Sequence, residues 1–184
     1  LAVLTKGPVA IVLMLVTFTL FGFVQADYIM LIKKLKPLRG LCIVFFVSAP
    51  WYIAELIVEG KPFWDSFFGY HNFQRLTMVV NSHSQPWWFF IMMLVISSFP
   101  FTPFLVLGLT KYLTSLFSLE KKSSYRNDFS LLNFTGSWLC AVFLLFTVAA
   151  TKLPSYWLPA VPAASIIIAL MSSNSEKAGN KLRI

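Results

Sequence analysis

Charged residues are scarce in this chain of 184 residues, and its seven acidic residues are outnumbered by 15 basic ones. Asp, Glu, Lys and Arg make up 12% of the sequence, against roughly 25% in an average soluble domain. The apolar share is 58%, which is more than a soluble globule of this size buries in its interior. The same composition excludes intrinsic disorder and a coiled coil. An integral membrane protein is the class that is left.

Cysteine, histidine and catalytic motifs are also sparse. Cys42 and Cys140 both lie inside apolar runs, so we interpret them as packing residues and not as a disulfide or a metal-binding pair. No Gly-x-Ser-x-Gly motif for a serine nucleophile is present. The side chains left as potential metal ligands are Glu59, Asp65, His71 and His83. They share no established ligand spacing, so no metal site is predicted; a divalent metal is the alternative left open.

Five apolar runs are long enough, some only marginally, for the roughly 17–25 residues that a membrane-spanning helix needs. They cover residues 8–24, 41–57, 87–109, 131–150 and 156–171. The third run contains Pro100 and Pro103, so we expect it to be kinked or broken there. The sequence therefore predicts an all-α, polytopic membrane helix bundle of about five transmembrane helices.

Basic residues divide unequally between the two sides of these spans. The larger group holds Lys33, Lys34, Lys36, Arg39, Lys111, Lys121, Lys122, Arg126, Lys177, Lys181 and Arg183. The positive-inside rule places this side in the cytoplasm. We expect residues 1–172 to form part of one membrane domain and residues 173–184 to be a cytoplasmic tail, with the stretch SSNSEKAGNKLRI disordered. No nucleic-acid partner is predicted, because no basic stretch alternates with exposed aromatic residues.

The outer loop, residues 58–86, is too long for a turn. Its apolar residues recur at helical spacing with polar residues between them, which predicts one or two short amphipathic helices on the membrane surface. Tryptophans gather near the outer ends of the spans, at Trp51, Trp64, Trp87, Trp88 and Trp157. We interpret them as interfacial anchors, with the lining of a lipid or sugar site as the alternative.

Four basic residues lie on the outer side, where positive charge is disfavoured. Lys61 has acidic neighbours in the sequence that can pair with it, whereas the presence of Lys6, Arg75 and Lys152 on this side needs another explanation. A shared phosphate ligand is one explanation, because Arg binds phosphate bidentately and Lys acts as a point charge. The alternative is that Lys6 and Lys152 only reach the lipid phosphates at the interface.

Four phrases occur in order along the chain: LTKGPVA, FFGYHNFQRL with NSHSQPWWFF, SFPFTPF, and TKLPSYWLPAVPA. This order resembles the polyprenyl-phosphate-sugar-dependent glycosyltransferases of the bacterial aminoarabinose (lipid A) transferase type, relatives of the protein O-mannosyltransferases. The resemblance covers residues 4–163. It implies a GT-C membrane fold in the bacterial inner membrane with a periplasmic active site. It also implies sugar transfer from an undecaprenyl-phosphate donor to a lipid, protein or glycan acceptor.

The resemblance also implies roles for individual residues. Lys6 and Arg75 would hold the carrier phosphate. The residues expected to line the same cavity are Lys152, Tyr156, His71, Asn72 and His83. The acidic catalytic residues of this family lie in a first outer loop near the N-terminus, and nothing here corresponds to that loop. We therefore expect a C-terminal membrane fragment whose catalytic residues are unknown and which is inactive alone.

The alternatives are functions without catalysis: a lipid-linked-sugar binding protein, a flippase or a transporter. A transporter is expected to place ionisable residues near the middle of its spans. Here the span centres are almost free of them, and the charges gather at the two faces. This pattern favours chemistry at the membrane surface.

Overall fold

The computed structural model describes residues 1–25, 28–79, 85–117 and 130–181, and this part of the chain is helical almost throughout, without a strand. The α-helices are α1 (Ala2–Lys6), α2 (Val9–Gln25), α3 (Tyr28–Leu35), α4 (Pro37–Val58), α5 (Lys61–Phe63), α6 (Arg75–Thr77), α7 (Phe89–Ser98), α8 (Thr102–Phe117), α9 (Ser130–Val148) and α10 (Val161–Lys181). A π-helix, Trp64–Gln74, lies between α5 and α6, and a 3₁₀ helix, Pro154–Ala160, precedes α10. The predicted all-α class is confirmed.

Within the described residues, three helical stretches are long and apolar enough to cross a membrane: Leu31–Val58, Leu131–Val148 and Pro154–Asn174. Two further helices, Val9–Gln25 and Phe89–Ser98, are apolar but shorter. Each of these five stretches overlaps one of the five predicted spans. The fold is therefore a membrane helix bundle, as the composition predicts.

The third predicted span is broken at its prolines. Helix α7 ends at Ser98, Phe99 has extended backbone angles, and α8 begins only at Thr102. Pro100 lacks the amide hydrogen that a continuing helix needs, and its ring disfavours helical angles in the residue before it. The break confirms the prediction, and α8 then continues past the predicted end of the span to Phe117.

The core lies where α8, α9 and α10 pack together and α2 packs against α9. Gly136 of α9 lies against the ring of Tyr112 of α8, where an added Cβ would come within 2.5 Å of the ring. Tyr112 is fully buried, and its hydroxyl shares a hydrogen bond of 3.1 Å with Ser137. Small residues allow this close approach of helices, as is usual in membrane proteins. These contacts fix α8 against the early turns of α9.

Trp157 lies within this packing. It is only 4% exposed, its indole nitrogen donates a hydrogen bond of 2.9 Å to the Ser97 hydroxyl, and its ring lies 6.4 Å from that of Phe90. The interpretation of Trp157 as an interfacial anchor is therefore wrong, because its side chain ties the 3₁₀ helix to α7. The other predicted anchors, Trp51, Trp64, Trp87 and Trp88, are exposed, and their role stays a prediction.

The last helix is longer than predicted. Helix α10 runs to Lys181, whereas the sequence predicts disorder from residue 172 onward. Extending an existing helix adds one hydrogen bond for each residue fixed, so a polar stretch continues a helix that packing already holds. The prediction of disorder is wrong for residues 172–181, and the cytoplasmic assignment of the tail stays a prediction.

The outer loop forms one continuous helical segment over residues 61–77, which we call the outer segment. Its helical character confirms the prediction, and its position on a membrane surface stays a prediction. Its aromatic residues pack on α4: the rings of Phe63 and Phe67 stack at 5.4 Å, and Trp51 meets Phe63 edge-on at 5.8 Å. This aromatic packing holds the outer segment at the end of α4.

Helix α4 also contacts the start of the chain. The Tyr52 hydroxyl donates a hydrogen bond of 2.6 Å to the Val3 carbonyl of α1. The outer segment and α1 are therefore brought together at one end of the bundle.

Candidate functional site

A cavity of about 470 Å³ lies where α1, the outer segment and the 3₁₀ helix meet. Its polar lining includes Lys6, His71, Asn72, Arg75 and Tyr156. The first turns of α2 and the end of α9 supply an apolar wall. Basic groups next to an apolar wall suit an amphipathic anion, because the cations can pair with its charge while the wall accepts its apolar part.

Lys6 enters the cavity from the last residue of α1. Gly7 follows with φ 69° and ψ −150°, a conformation that is essentially restricted to glycine. The Lys6 ammonium lies 6.0 Å from the centre of the Tyr156 ring, at the limit of a cation–π contact. That ring stacks on Phe146 of α9 at 4.9 Å. The bundle therefore supports the aromatic face against which Lys6 lies.

The turn after Lys6 packs closely on the π-helix. Gly7 is buried, and a Cβ built on it would lie 3.0 Å from the Phe67 ring and 3.1 Å from the Asn72 amide nitrogen. The same amide group of Asn72 donates a hydrogen bond of 2.6 Å to the Phe67 carbonyl. Asn72 is thus held by its own helix and contacts the turn that presents Lys6.

Arg75 enters the cavity from the first residue of α6, directly after the π-helix. Its guanidinium carbon lies 5.8 Å from the centre of the Tyr70 ring. Its Nε atom is buried and has no hydrogen-bond partner among the described residues. An unpaired buried donor is costly, so a ligand that accepts from this nitrogen would gain the full value of the hydrogen bond.

Neither cation of the cavity is neutralised by a residue in the described ranges. Within the described part of the chain, no carboxylate pairs with Lys6 or Arg75. The sequence-based expectation that Lys61 pairs with its acidic neighbours is wrong, because Lys61 also forms no ion pair with the described residues. It lies outside the cavity lining, however, whereas Lys6 and Arg75 face the same space.

His71 is the third basic residue of the lining, and its side chain is exposed. Its pKa is lowered from the ordinary value of 6.5, first by desolvation and then by the positive charges of Arg75 and Lys6. The imidazole is therefore neutral at neutral pH. The shift also shows that the three side chains share one electrostatic environment.

Two segments distant in sequence are joined by hydrogen bonds beside Arg75. The Ala150 amide donates to the Leu76 carbonyl at 3.1 Å, and the Thr151 amide donates to the Arg75 carbonyl at 3.1 Å. The Thr151 hydroxyl donates to the Met78 carbonyl at 2.9 Å. We call these three bonds the clamp; they fix the end of the outer segment to the segment that follows α9.

One residue expected in the cavity, Lys152, lies outside its lining. Lys152 is half-buried and is not part of the lining, since its ammonium donates a hydrogen bond of 3.0 Å to the Ala149 carbonyl near the end of α9. A cation there is favourable because the last carbonyls of a helix lack partners. His83 lies outside the described residues. The functional roles assigned to all seven site residues stay predictions.

The sequence does not single out several residues that shape the cavity. Phe67 and Phe146 contribute apolar lining, but their type and spacing match ordinary packing residues. Ser155 lies in the phrase that ends with Tyr156 and carries no signal of its own. Thr151 is next to Lys152, and only the tertiary hydrogen bonds distinguish it.

The described residues do not form a metal centre. Among them, no group of three His, Cys, Asp or Glu side chains is arranged to hold a metal ion. The described residues of the cavity lining include no carboxylate, and those that are charged are basic. Its chemistry therefore fits an anion better than a cation.

The chain is similar in sequence to curated bacterial glycosyltransferases. It is 30% identical over 171 residues to the undecaprenyl phosphate-alpha-4-amino-4-deoxy-L-arabinose arabinosyl transferase 1 of Proteus mirabilis (strain HI4320), covering 92% of this chain and 28% of that protein. The transferase 2 of the same strain is 26% identical over 170 residues, covering 92% of this chain and 28% of that protein. The Yersinia pestis (strain Pestoides F) transferase is 30% identical over 139 residues, covering 75% of this chain and 23% of that protein.

Other comparisons are less informative about function. A protein of Aquifex aeolicus (strain VF5) without a described function is 29% identical over 178 residues, covering 96% of this chain and 32% of that protein. No protein-family model and no solved structure matches the chain. The chain thus spans about a third or less of the length of these relatives. Over that part, the similarity supports a relationship with the undecaprenyl-phosphate-dependent membrane glycosyltransferases.

Proposed function

We propose that this chain is part of an integral-membrane glycosyltransferase that transfers a sugar from a polyprenyl-phosphate carrier to a lipid, protein or glycan acceptor. The observation that carries the proposal is one cavity that contains both Lys6 and Arg75, with no carboxylate partner for either among the described residues. The names of the relatives, which specify undecaprenyl phosphate, support this donor class.

The chemistry of such a transfer explains why cations are needed. An acceptor oxygen forms a bond to the anomeric carbon of the sugar and loses its proton to a base. The bond between that carbon and the phosphate oxygen breaks, and its electron pair stays on the phosphate. The phosphodiester monoanion thereby becomes a monoester with a second negative charge. Lys6 and Arg75 stabilise this added charge, and positioned charges of this kind are a large source of catalysis. The base that activates the acceptor lies outside these residues in our proposal, because the described part of the lining has no carboxylate.

The topology favours a periplasmic site in the bacterial inner membrane. Eleven basic residues lie on the other side of the predicted spans from Lys6 and Arg75. The positive-inside rule then orients the cavity toward the periplasm and the C-terminus toward the cytoplasm. The transmembrane glycosyltransferase domain would include residues 1–172.

A non-catalytic protein that binds a lipid-linked sugar, or a flippase or transporter for it, is the second candidate. It would use the same two cations to hold the carrier phosphate. The distinction therefore depends on turnover and not on binding.

Because the chain is expected to be inactive alone, the test uses the full-length protein to which we propose it belongs, in nanodiscs. It measures transfer of a labelled sugar from its undecaprenyl-phosphate donor to acceptor-containing membranes. We expect transfer that Arg75→Met reduces at least tenfold, because a charged contact contributes about 1.5–3 kcal/mol. Lys61→Met, which alters an exposed cation outside the cavity, is the matched control and keeps full activity. Donor binding without transfer or donor cleavage would support the second candidate.

A further inference from the structure

Thr151 is buried beside the cavity without being part of its lining. Its side chain is 1% exposed, and it follows the end of α9. Its amide donates a hydrogen bond to the Arg75 carbonyl in the outer segment. Its hydroxyl donates one to the Met78 carbonyl, just after that segment. One residue thus supplies two of the three hydrogen bonds of the clamp.

The carbonyls that Thr151 binds belong to the end of a helical segment. Helix α6 has only three residues, and Met78 after it has extended angles of φ −131° and ψ 153°. Carbonyls at such an end lack partners within the helix. The clamp therefore ties the short turn that carries Arg75 to the segment after α9, in addition to its connection to the π-helix.

We infer that Thr151 is a positioning residue for Arg75. Its hydroxyl and amide hold the backbone of residues 75–78 so that the guanidinium stays within the cavity. The inference rests on the proposed function, since its consequence is measured as affinity for a carrier phosphate. It assigns no contact between Thr151 and the ligand.

The test compares undecaprenyl phosphate binding by variants of the protein in nanodiscs. Thr151→Val removes the hydroxyl and keeps the side-chain shape, and we expect about five- to twentyfold weaker binding. Thr151→Ser keeps the hydroxyl and should bind like the wild type. Thr151→Ala repeats the hydroxyl loss with a smaller side chain in case the valine variant folds poorly.

Thr135→Val is the matched control for a merely structural effect. Thr135 is also buried, but its hydroxyl donates only to carbonyls of its own helix, those of Leu131 and Leu132. We expect its loss to alter thermal stability without altering phosphate affinity. If Thr135→Val weakens binding as much as Thr151→Val does, a specific positioning role is contradicted.

The double variant tests whether Thr151 acts through Arg75. When Arg75 is already methionine, adding Thr151→Val should cause less than a twofold further loss, because the group being positioned is absent. A full, additive loss overturns the inference. If Arg75→Met itself leaves phosphate binding unchanged, the proposed function fails, and this outcome is distinct from failure of the positioning role alone.

Discussion

The ammonium of Lys6 lies 6.0 Å from the centre of the Tyr156 ring, although the two residues belong to opposite ends of the chain. The ring is held by stacking on Phe146. This arrangement keeps a cation at the wall of the cavity without neutralising it, since an aromatic face attracts a cation and leaves its hydrogen-bond donors available.

Replacing the ring of Tyr156 should weaken phosphate binding moderately. Tyr156→Leu removes the aromatic face, which contributes about 0.5–1 kcal/mol to holding a cation, so we expect roughly a two- to fivefold loss of affinity for undecaprenyl phosphate. Tyr156→Phe keeps the face and is the matched control. Equal losses in both variants would show that the hydroxyl, and not the ring, matters.

Alanine at Gly7 should destabilise the protein and weaken phosphate binding together. The backbone there has φ 69°, and a Cβ would press on Phe67 and Asn72. We expect a cost of about 1–3 kcal/mol from the backbone strain, with a further cost from the contact. Thermal unfolding and phosphate affinity are the two measurements.

Gly60→Ala is the control for this prediction. Gly60 has a similar φ of 65°, but the nearest atom to an added Cβ is the Leu56 carbonyl oxygen at 3.9 Å. We expect backbone strain alone, with phosphate affinity unchanged. If Gly7→Ala behaves like Gly60→Ala in both measurements, the packing of this turn does not position Lys6.

The affinity for a phosphate diester should rise as the pH falls. Desolvation, Arg75 and Lys6 lower the pKa of His71 in the free protein, and a bound anion raises it by favouring the imidazolium. Binding therefore takes up protons between the lowered pKa of the free protein and the higher pKa of the complex. It strengthens as the pH falls through that window and is constant above it. Because His71 is exposed, we expect only about a threefold change.

The measurement uses the methyl ester of undecaprenyl phosphate, whose charge is constant across this pH range. His71→Gln should remove the pH dependence and retain the affinity seen at high pH. A pH profile that persists in His71→Gln would assign the titration to another group.

Local sequence signals and tertiary packing account for different parts of this structure. Pro100 breaks a helix through its own ring, and the sequence predicts that break. Trp157 has the same residue type and span-end position as the exposed tryptophans, yet contact with Ser97 buries it. Its environment depends on which helices pack together, which a single sequence does not specify.

The residues of the site also divide into those that the sequence identifies and those that only tertiary packing reveals. Lys6 and Arg75 are identifiable because positive charge is unexpected on their side of the spans. Lys152 meets the same criterion, but its ammonium binds the Ala149 carbonyl just after the end of α9. Its neighbour Thr151 has no charge and no motif, and only the folded chain brings it to the carbonyls around Arg75.

The most direct test of the account compares undecaprenyl phosphate with undecaprenol, which lacks the phosphate, as ligands of the protein in nanodiscs. We predict that the wild type and Lys61→Met prefer the phosphate about a hundredfold, which corresponds to two charged contacts. Lys6→Met and Arg75→Met should each reduce this preference at least tenfold and leave undecaprenol binding unchanged. Equal preference for the phosphate in the wild type and both cavity variants would contradict the assignment of this cavity to the carrier phosphate.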